Sequence, residues 1–380
     1  MSALHDAWRG WRNRRLADPS FRRRAAAFAL TRPIARRSAS RLFDLVAGFV
    51  YSQVLQACVR LDLFERLYAQ RQHAAQLAPD IGLDTDATER LLRAGAALGL
   101  FERFDDGRYG LGELGAPMVD NAAVSAMVKH HSALYADLSD PVALLRGEST
   151  SRRLASQWAY AGLDHPGGLN DAGVSSYSAL MSVSQPLVAQ LLLDSHPFER
   201  GGRLLDVGGG EGRFLLEAAR HAPALELHLF DLPAVATRAT RALVAAGLER
   251  RATAHGGNFF EDPLPGGMDV VTLIRVVHDH DDAHTLLLLR AAHAALVPGG
   301  VLLLAEPMAG TPGARGMGDA YLAFYLLAMG QGESRSAERL AELLRAAGFS
   351  SVEECPSDLP LQTRILRARK GSATTAARIV

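Results

Sequence analysis

The chain of 380 residues has only two cysteines, Cys58 and Cys355. That scarcity excludes a disulfide framework and a cysteine-built zinc site, and it fits a reducing, cytosolic compartment. No uninterrupted apolar run reaches the roughly 18–20 residues that span a bilayer, so no transmembrane segment is expected. Internal repeats are missing, which removes repeat architectures. A net charge of either sign is also lacking, with 41 basic residues against 41 acidic ones. That balance conceals an uneven distribution.

Between Met1 and Arg41 stand eleven arginines and only two acids, Asp6 and Asp18. Trp8, Trp11, Phe21 and Phe28 are interleaved with them. Arginine beside tryptophan suits a segment lying on an anionic membrane surface with its rings at headgroup depth. A solvated basic arm, an arm docked on a partner subunit and an Arg-rich transit peptide are the other readings. The arm is taken as residues 1–38.

From Ser40 to Tyr68 the pattern is helical, with Leu42, Leu45, Val46, Phe49, Val50, Val54, Leu55, Cys58, Val59 and Leu61 apolar. A helix apolar on several sides has to be buried on several sides, here against its own core and a second subunit. Ala74–Leu77 begins a further helix, and Ile81-Gly82-Leu83 turns the chain. Thr85 or Asp86 caps the next helix, Ala87–Leu98, which Gly99 stops. Asp105-Asp106-Gly107 makes a hairpin turn between Leu100–Phe104 and Arg108–Leu111. Helix, turn, helix, hairpin is the outline of a winged helix. The second helix offers only Arg90 and Arg93 to phosphates or bases, so the region 39–190 reads as a dimerisation scaffold with no nucleic-acid partner. Beyond Pro117 a helical stretch carries Met127, His130, His131, Leu134 and Tyr135.

The C-terminal half, 191–372, alternates strand and helix. Strand-like runs are Leu204–Val207, Glu226–Phe230, Val270–Val277 and Val301–Ala305, with helices such as Leu215–His221 and Ala283–Leu296 between them. This is the α/β class, a doubly wound parallel sheet with helices on both faces. Gln362–Arg369 reads as an antiparallel edge strand, and 373–380 as a tail.

Leu204 to Phe214 is a buried strand, a glycine turn and a helix start. Glycines at 208, 209, 210 and 212 let a ligand approach the backbone. Arg213 stands where a nicotinamide fingerprint wants its third glycine, so the turn fits an S-adenosylmethionine cradle better. Asp206 can orient the ligand's ammonium end, and Asp231, at the carboxyl end of the second strand, can accept both ribose hydroxyls. Asn258 is placed for the adenine amino group with Phe259 on its face; an asparagine turn beside a core aromatic is the alternative.

Arg275 to His284 holds three histidines and three aspartates, but at no spacing that closes a zinc site, and no metal is expected. His278 reads as a general base at the sheet's carboxyl edge. Asp282 and His284 read as capping the next helix, and His280 could do either. Glu306 or Glu333 could hold one nitrogen of His278 and fix its tautomer. Tyr321, Phe324, Tyr325 and Met329 form a stripe on the helix Ala320–Met329. With Met127 they are candidate walls of an apolar substrate tunnel.

LeuAspValGlyGlyGly at 205–210, PheAspLeuPro at 230–233, the His-Asp-x-x-Asp-x-His element at 278–284, ProGlyGly at 298–300 and AlaGluPro at 305–307 resemble the dimeric small-molecule O-methyltransferases that include the plant phenolic enzymes. The likeness covers nearly all of 40–370. It implies a Rossmann-like S-adenosylmethionine domain behind a winged-helix dimerisation domain, and a homodimer. It implies His278 as proton acceptor flanked by Glu306 and Glu333, with Gly208, Gly210, Asp231, Asn258, Phe259 and Arg275 lining the cofactor site. Asn258 replaces the family's usual aspartate, and Arg275 stands where lysine is common. The arm from Leu4 and the blocks at 30–37 and 49–55 are similar to bacterial carotenoid O-methyltransferases of the spheroidene pathway. That resemblance implies a 1-hydroxy carotenoid substrate and peripheral membrane contact. A phenolic or polyketide acceptor, and a winged-helix regulator with a relic cofactor domain, are the rival readings.

Overall fold

The basic N-terminus is helical. Helix α1 covers Ser2–Ala17 and α2 covers Pro19–Ala27. Between them Asp18 caps α2 by accepting the Ser20 N–H at 2.8 Å, with proline at the first helical position, where its missing N–H costs nothing. Helix α3 runs from Arg32 to Arg60, through the expected arm boundary at 38. This computed structural model describes residues 2–149, 152–157, 188–356 and 363–372. It divides into two compact units, Met1–Asn121 and Ala122–Val380.

In the first unit the single helix expected over 40–68 is two. Asp62 adopts a left-handed φ of 51° and ends α3, and α4 (Leu63–Ala69) follows. Helices α5 (Ala74–Ile81) and α6 (Thr85–Ala97) flank the left-handed Gly82. The cap of α6 is Asp84, which accepts the Ala87 N–H at 2.6 Å; Thr85 and Asp86 already lie in the first turn. Strands β1 (Phe101–Arg103) and β2 (Tyr109–Leu111) pair as the expected hairpin. Cys58, Val59, Leu63, Phe64 and Leu67 form the inner side of α3 and α4. Leu42, Phe43, Leu45, Val46 and Phe49 stand out from α3, with Leu45 81% and Phe49 72% exposed. Among the described residues α3 is also long and apolar enough to cross a membrane, by length and composition only. Counting unbroken apolar runs overlooked it, because Asp44, Gly48, Ser52, Gln53 and Gln56 interrupt the run.

The second unit begins with α7 (Ala122–Asp137), α8 (Pro141–Leu145) and α9 (Arg153–Gln157). The unit boundary lies well before the expected 190, because α7 packs on α14 (Leu322–Met329) in a shared core of Ala133, Leu134, Leu322, Leu326 and Met329. The Gly/Pro-containing stretch 158–187 lies outside the described residues. A helix α10 over 188–195 leads to the sheet.

The main sheet has seven strands: β3 (Gly202–Val207), β4 (Leu225–Asp231), β5 (Ala252–Gly256), β6 (Met268–Ile274), β7 (Leu296–Glu306), β8 (Ser351–Cys355) and β9 (Arg364–Arg369). Their order is β5-β4-β3-β6-β7-β9-β8. All pairings among the first five are parallel, and β9 runs antiparallel to β7 and β8. The last strand is therefore antiparallel as expected but is not the edge. The short β8, half polar and unmarked by alternation, takes that place. Helices α11 (Arg213–His221) and α12 (Pro233–Ala245) cover one face with α10. Helices α13 (Asp282–Ala295) and α15 (Ala337–Ala346) cover the other. Strand order reverses between β3 and β6, so the carboxyl ends of β3, β4, β6 and β7 surround the crevice where open α/β sheets take ligands.

Candidate active site

Buried on both faces, β3 delivers Asp206 to the end of the sheet and then turns through glycine. A Cβ at position 209 would lie 2.5 Å from Asp206 Oδ2, so the turn has no room for one. At Gly210, with φ of 57°, a Cβ would meet nothing within 4 Å, which marks that side of the turn as open to a ligand. Asp206 Oδ1 accepts the Thr272 hydroxyl at 2.7 Å, while Oδ2 is buried without a hydrogen-bond partner. Burial, helped by the charge of Asp231, pushes this carboxyl up to about 7 against the Thr272 bond. An orphaned buried carboxylate oxygen beside a glycine cradle fits a cationic ligand.

Asp231 ends β4. Its Oδ2 accepts the Gly210 N–H at 2.8 Å and its Oδ1 the Leu232 N–H at 2.7 Å, which ties the glycine turn to the neighbouring strand. A carboxylate has about four acceptor positions, so two remain for a pair of ribose hydroxyls. Burial raises its pKa to about 6, opposed by those two N–H bonds.

Asn258 is buried and forms a turn of its own. Its Oδ1 accepts the Phe260 N–H at 3.1 Å, and its N–H donates to Asp262 Oδ2 at 2.8 Å. Phe259 packs edge-on against Phe260 and His280, with centroids 4.7 and 5.7 Å away. His280 is thus an aromatic-wall residue, which burial holds near 4 and therefore neutral.

Beyond β6, Arg275 adopts a left-handed φ of 55° and donates its N–H to the Ala305 carbonyl at 2.8 Å. A non-glycine residue there is uncommon and clusters at functional sites. The turn that follows presents His278. Its Nδ1 lies 2.5 Å from Glu306 Oε2, and Glu306 Oε1 accepts the N–H groups of Val276 and Val277 at 2.8 and 2.9 Å. One buried carboxylate thereby holds the ring and the turn that carries it. Burial alone would lower the imidazole's pKa. Asp279, Glu306 and the hydrogen bond to Glu306 overcome that and raise it to about 9, with Arg275 opposing.

Glu333 is not brought to the imidazole. Its carboxylate is largely exposed and pairs with Arg335 at 3.5 Å, and only its backbone N–H reaches the His278 carbonyl, at 2.9 Å. The second acid beside the ring is Asp279, with Oδ1 3.2 Å from Nε2. Sequence reading missed it because an aspartate adjacent to His278 looks like part of the capping cluster. The cap of α13 is in fact Asp281, which accepts the His284 N–H at 2.8 Å, whereas Asp282 pairs with Arg335 and Arg339. Gly332 is a further missed residue. At a φ of 93°, it packs so closely that a Cβ would lie 2.3 Å from the His278 carbonyl oxygen.

A matching family model, the O-methyltransferase domain, covers residues 135–350. The chain belongs to the O-methyltransferase family. Residues 43–121 match that family's dimerisation domain, which ends where the first compact unit ends. Demethylspheroidene O-methyltransferase of Cereibacter sphaeroides is 44% identical over 91% of this chain and 89% of its own length. The enzyme of the same name from Rhodobacter capsulatus is 40% identical over 89% and 84%. Among solved structures, the S-adenosylmethionine-dependent methyltransferase SibL matches with a TM-score of 0.71 and 25% identity, over 87% of this chain and 99% of that one. Human N-acetylserotonin methyltransferase, solved with S-adenosylmethionine, matches with a TM-score of 0.73 over 88% and 98%, and at 23% identity it speaks for the fold. This O-methyltransferase takes its methyl group from S-adenosyl-L-methionine, and the glycine turn, the orphaned Asp206 oxygen and Asp231 fit that cofactor.

The aromatic stripe divides. A π-helical turn at Gly316–Tyr321 precedes α14. The Tyr321 hydroxyl lies 2.8 Å from His131 Nε2 and 3.9 Å from Met127 Sδ, and the Tyr325 hydroxyl 2.8 Å from His130 Nε2. Met127, Tyr321 and Tyr325 are thus brought together with two histidines of α7. Phe324 points outward, 36% exposed, and Met329 is buried in the helical core. Met329 shares that core with Tyr325, and Tyr321 packs against it, whereas Phe324 stands apart.

Proposed function

We propose that this enzyme methylates the tertiary 1-hydroxyl of a carotenoid of the demethylspheroidene or hydroxyneurosporene type, with His278 as the base. The observation that carries the chemistry is the His278–Glu306 pair at the end of β6 and β7, beside the glycine cradle. The substrate class rests on the two relatives at 44% and 40% identity.

S-adenosylmethionine supplies an electrophilic methyl group on a sulfonium sulfur. Asp206 would face its ammonium end, Asp231 its ribose, and Asn258 and Phe259 its adenine, with Gly208, Gly210 and Arg275 around them. His278 Nε2 takes the hydroxyl proton as the oxygen attacks, and Glu306 stabilises the resulting imidazolium through Nδ1. A tertiary alcohol is about as hard to ionise as water, near 15.7, so proton removal must accompany attack. In the free enzyme the raised pKa keeps His278 protonated at neutral pH. A cation bound beside it favours the neutral ring, so cofactor binding prepares the base. Met127, Tyr321 and Tyr325 suit one wall of an apolar substrate channel.

The arm reads as a membrane contact that holds a cytoplasmic enzyme at its polyene substrate. Leu4, Trp8 and Trp11 lie three to four residues apart on α1, each at least half exposed, and Arg12 and Arg15 stack over the two indoles at 5.1 and 5.7 Å. Such pairs suit an anionic lipid interface.

Incubation with labelled methyl donor and either a 1-hydroxy carotenoid or a catechol tests the substrate. Label is expected in the carotenoid; transfer to the catechol alone would replace this reading with the phenolic one. Deleting residues 1–31 leaves α3 whole and should weaken binding to anionic liposomes while sparing cofactor affinity. Unchanged liposome binding would remove the membrane role. Methyl transfer to neither acceptor, together with tight operator binding, would favour the regulator.

A further inference from the structure

The turn carrying His278 is held from its far side by one buried cation. Arg335 is 3% exposed. Its Nη2 donates to the His280 carbonyl at 2.7 Å, its Nη1 to the Val277 carbonyl at 3.0 Å and its Nε to Asp282 Oδ1 at 2.6 Å. Nη1 also approaches the Glu333 carbonyl at 3.4 Å. Val277 and His280 bracket His278 and Asp279, and Asp282 opens α13. A planar guanidinium presents its donors in a rigid fork, whereas the three donors of an ammonium rotate on a flexible stem.

We propose that Arg335 is the positioning residue for the catalytic base. It clamps the carbonyls on both sides of His278, while Glu306 holds the ring and the preceding N–H groups. This rests on the reading of His278 as base. The turn lies between two anchors: Glu306 takes its N–H groups from the β7 side, and Arg335 takes its carbonyls from the segment leading into α15. Without the second anchor the ring keeps a partner for Nδ1 but not a fixed direction for Nε2. An error of about 1 Å at a reacting group can cost about 100-fold in rate.

Arg335→Lys keeps the charge and loses the fork. It is expected to lower kcat about 10–100-fold on a 1-hydroxy carotenoid, with the KM for S-adenosylmethionine and its Kd unchanged within about threefold. The low-field proton resonance expected for the short Nδ1–Glu306 hydrogen bond should weaken or vanish in the same variant. That signature needs no acceptor substrate. The charged groups facing His278, namely Asp279, Glu306 and Arg275, are untouched by the substitution. If the lysine variant does not fold, Asp282→Asn weakens the bond that aims the guanidinium and should lower kcat by about 3–10-fold with the same KM pattern. A kcat within threefold of wild type and an unaltered proton signal in the folded variant would overturn the inference, as would a normal kcat for Asp282→Asn. His278→Ala run in parallel separates the two readings: if it stays active, the base assignment fails, and if it is inactive while Arg335→Lys is normal, only the positioning role fails.

Discussion

The two compact units depart from ordinary burial in opposite directions. The first exposes large apolar side chains, with Leu42, Phe43, Leu45, Val46 and Phe49 open on α3. The second buries ionisable ones, with Asp206, Asp279, Glu306 and Arg335 each 5% exposed or less. Exposed apolar surface of that extent marks a face that something else covers. Buried charge marks a site where desolvation has been accepted for chemistry or binding. The first unit therefore carries assembly, in keeping with the dimerisation domain it matches, and the second carries catalysis.

The largest effect should come from the exposed face. Leu45→Asp with Phe49→Asp removes two anchors, and a twofold interface counts each of them twice. At about 1.5–3 kcal/mol per buried side chain, the dimer dissociation constant should rise by about 10⁴-fold or more, seen by sedimentation. A dimer unaffected by both charges would mean that this face serves the membrane or another partner. Next is the buried charge. His278→Ala should lower kcat by about 10²–10⁴-fold without dissociating the dimer, and a drop below tenfold would point to catalysis by proximity alone.

A smaller change is expected at the carboxylate behind the base. Since His278 is raised to about 9, its unprotonated form grows in as pH climbs, and kcat/KM, which reports the free enzyme, should rise through that region. Glu306→Gln removes one of the two raising charges. It should shift that limb toward the ordinary 6.5 and reduce kcat about 10–100-fold. A limb that stays put would assign the shift to Asp279. The smallest effect concerns Asp206. Its pKa of about 7 means that its charge is lost as pH falls, and a cationic ligand prefers the charged form. Cofactor affinity measured by calorimetry should therefore weaken about tenfold between pH 8 and pH 6. Flat affinity over that range would show that the ammonium end is held elsewhere.

Much of this was legible in the sequence where the signal is local. The glycine turn after β3, the acid ending β4, the hairpin at Asp105–Gly107 and the alternation of strand and helix all rest on residues close together in the chain. The partner of His278 was narrowed to two acids, Glu306 at the end of a strand and Glu333 in a glycine-containing segment, and the structure brings only Glu306 to the ring. Glu333 differs from Glu306 in what carries it. Glu306 ends a buried strand beside β6, whereas Glu333 follows the left-handed Gly332 in a loop that turns its side chain toward solvent. The misplaced edge strand has a similar origin, since the composition of Gln362–Arg369 cannot say which neighbour lies outside it.

By itself the sequence determined most of the element types and the apolar excess of α3, and it pointed to the glycine cradle and to His278 as a candidate base. Each depends on backbone geometry or periodicity within a few residues. Only the tertiary structure decided that Asp279 stands against Nε2, that Asp206 keeps one oxygen unsatisfied, and that Arg335 grips the turn from a segment more than fifty residues away. Those facts arise from burial and from contacts between distant segments. Desolvation and hydrogen-bond geometry exist only once the chain has closed around them.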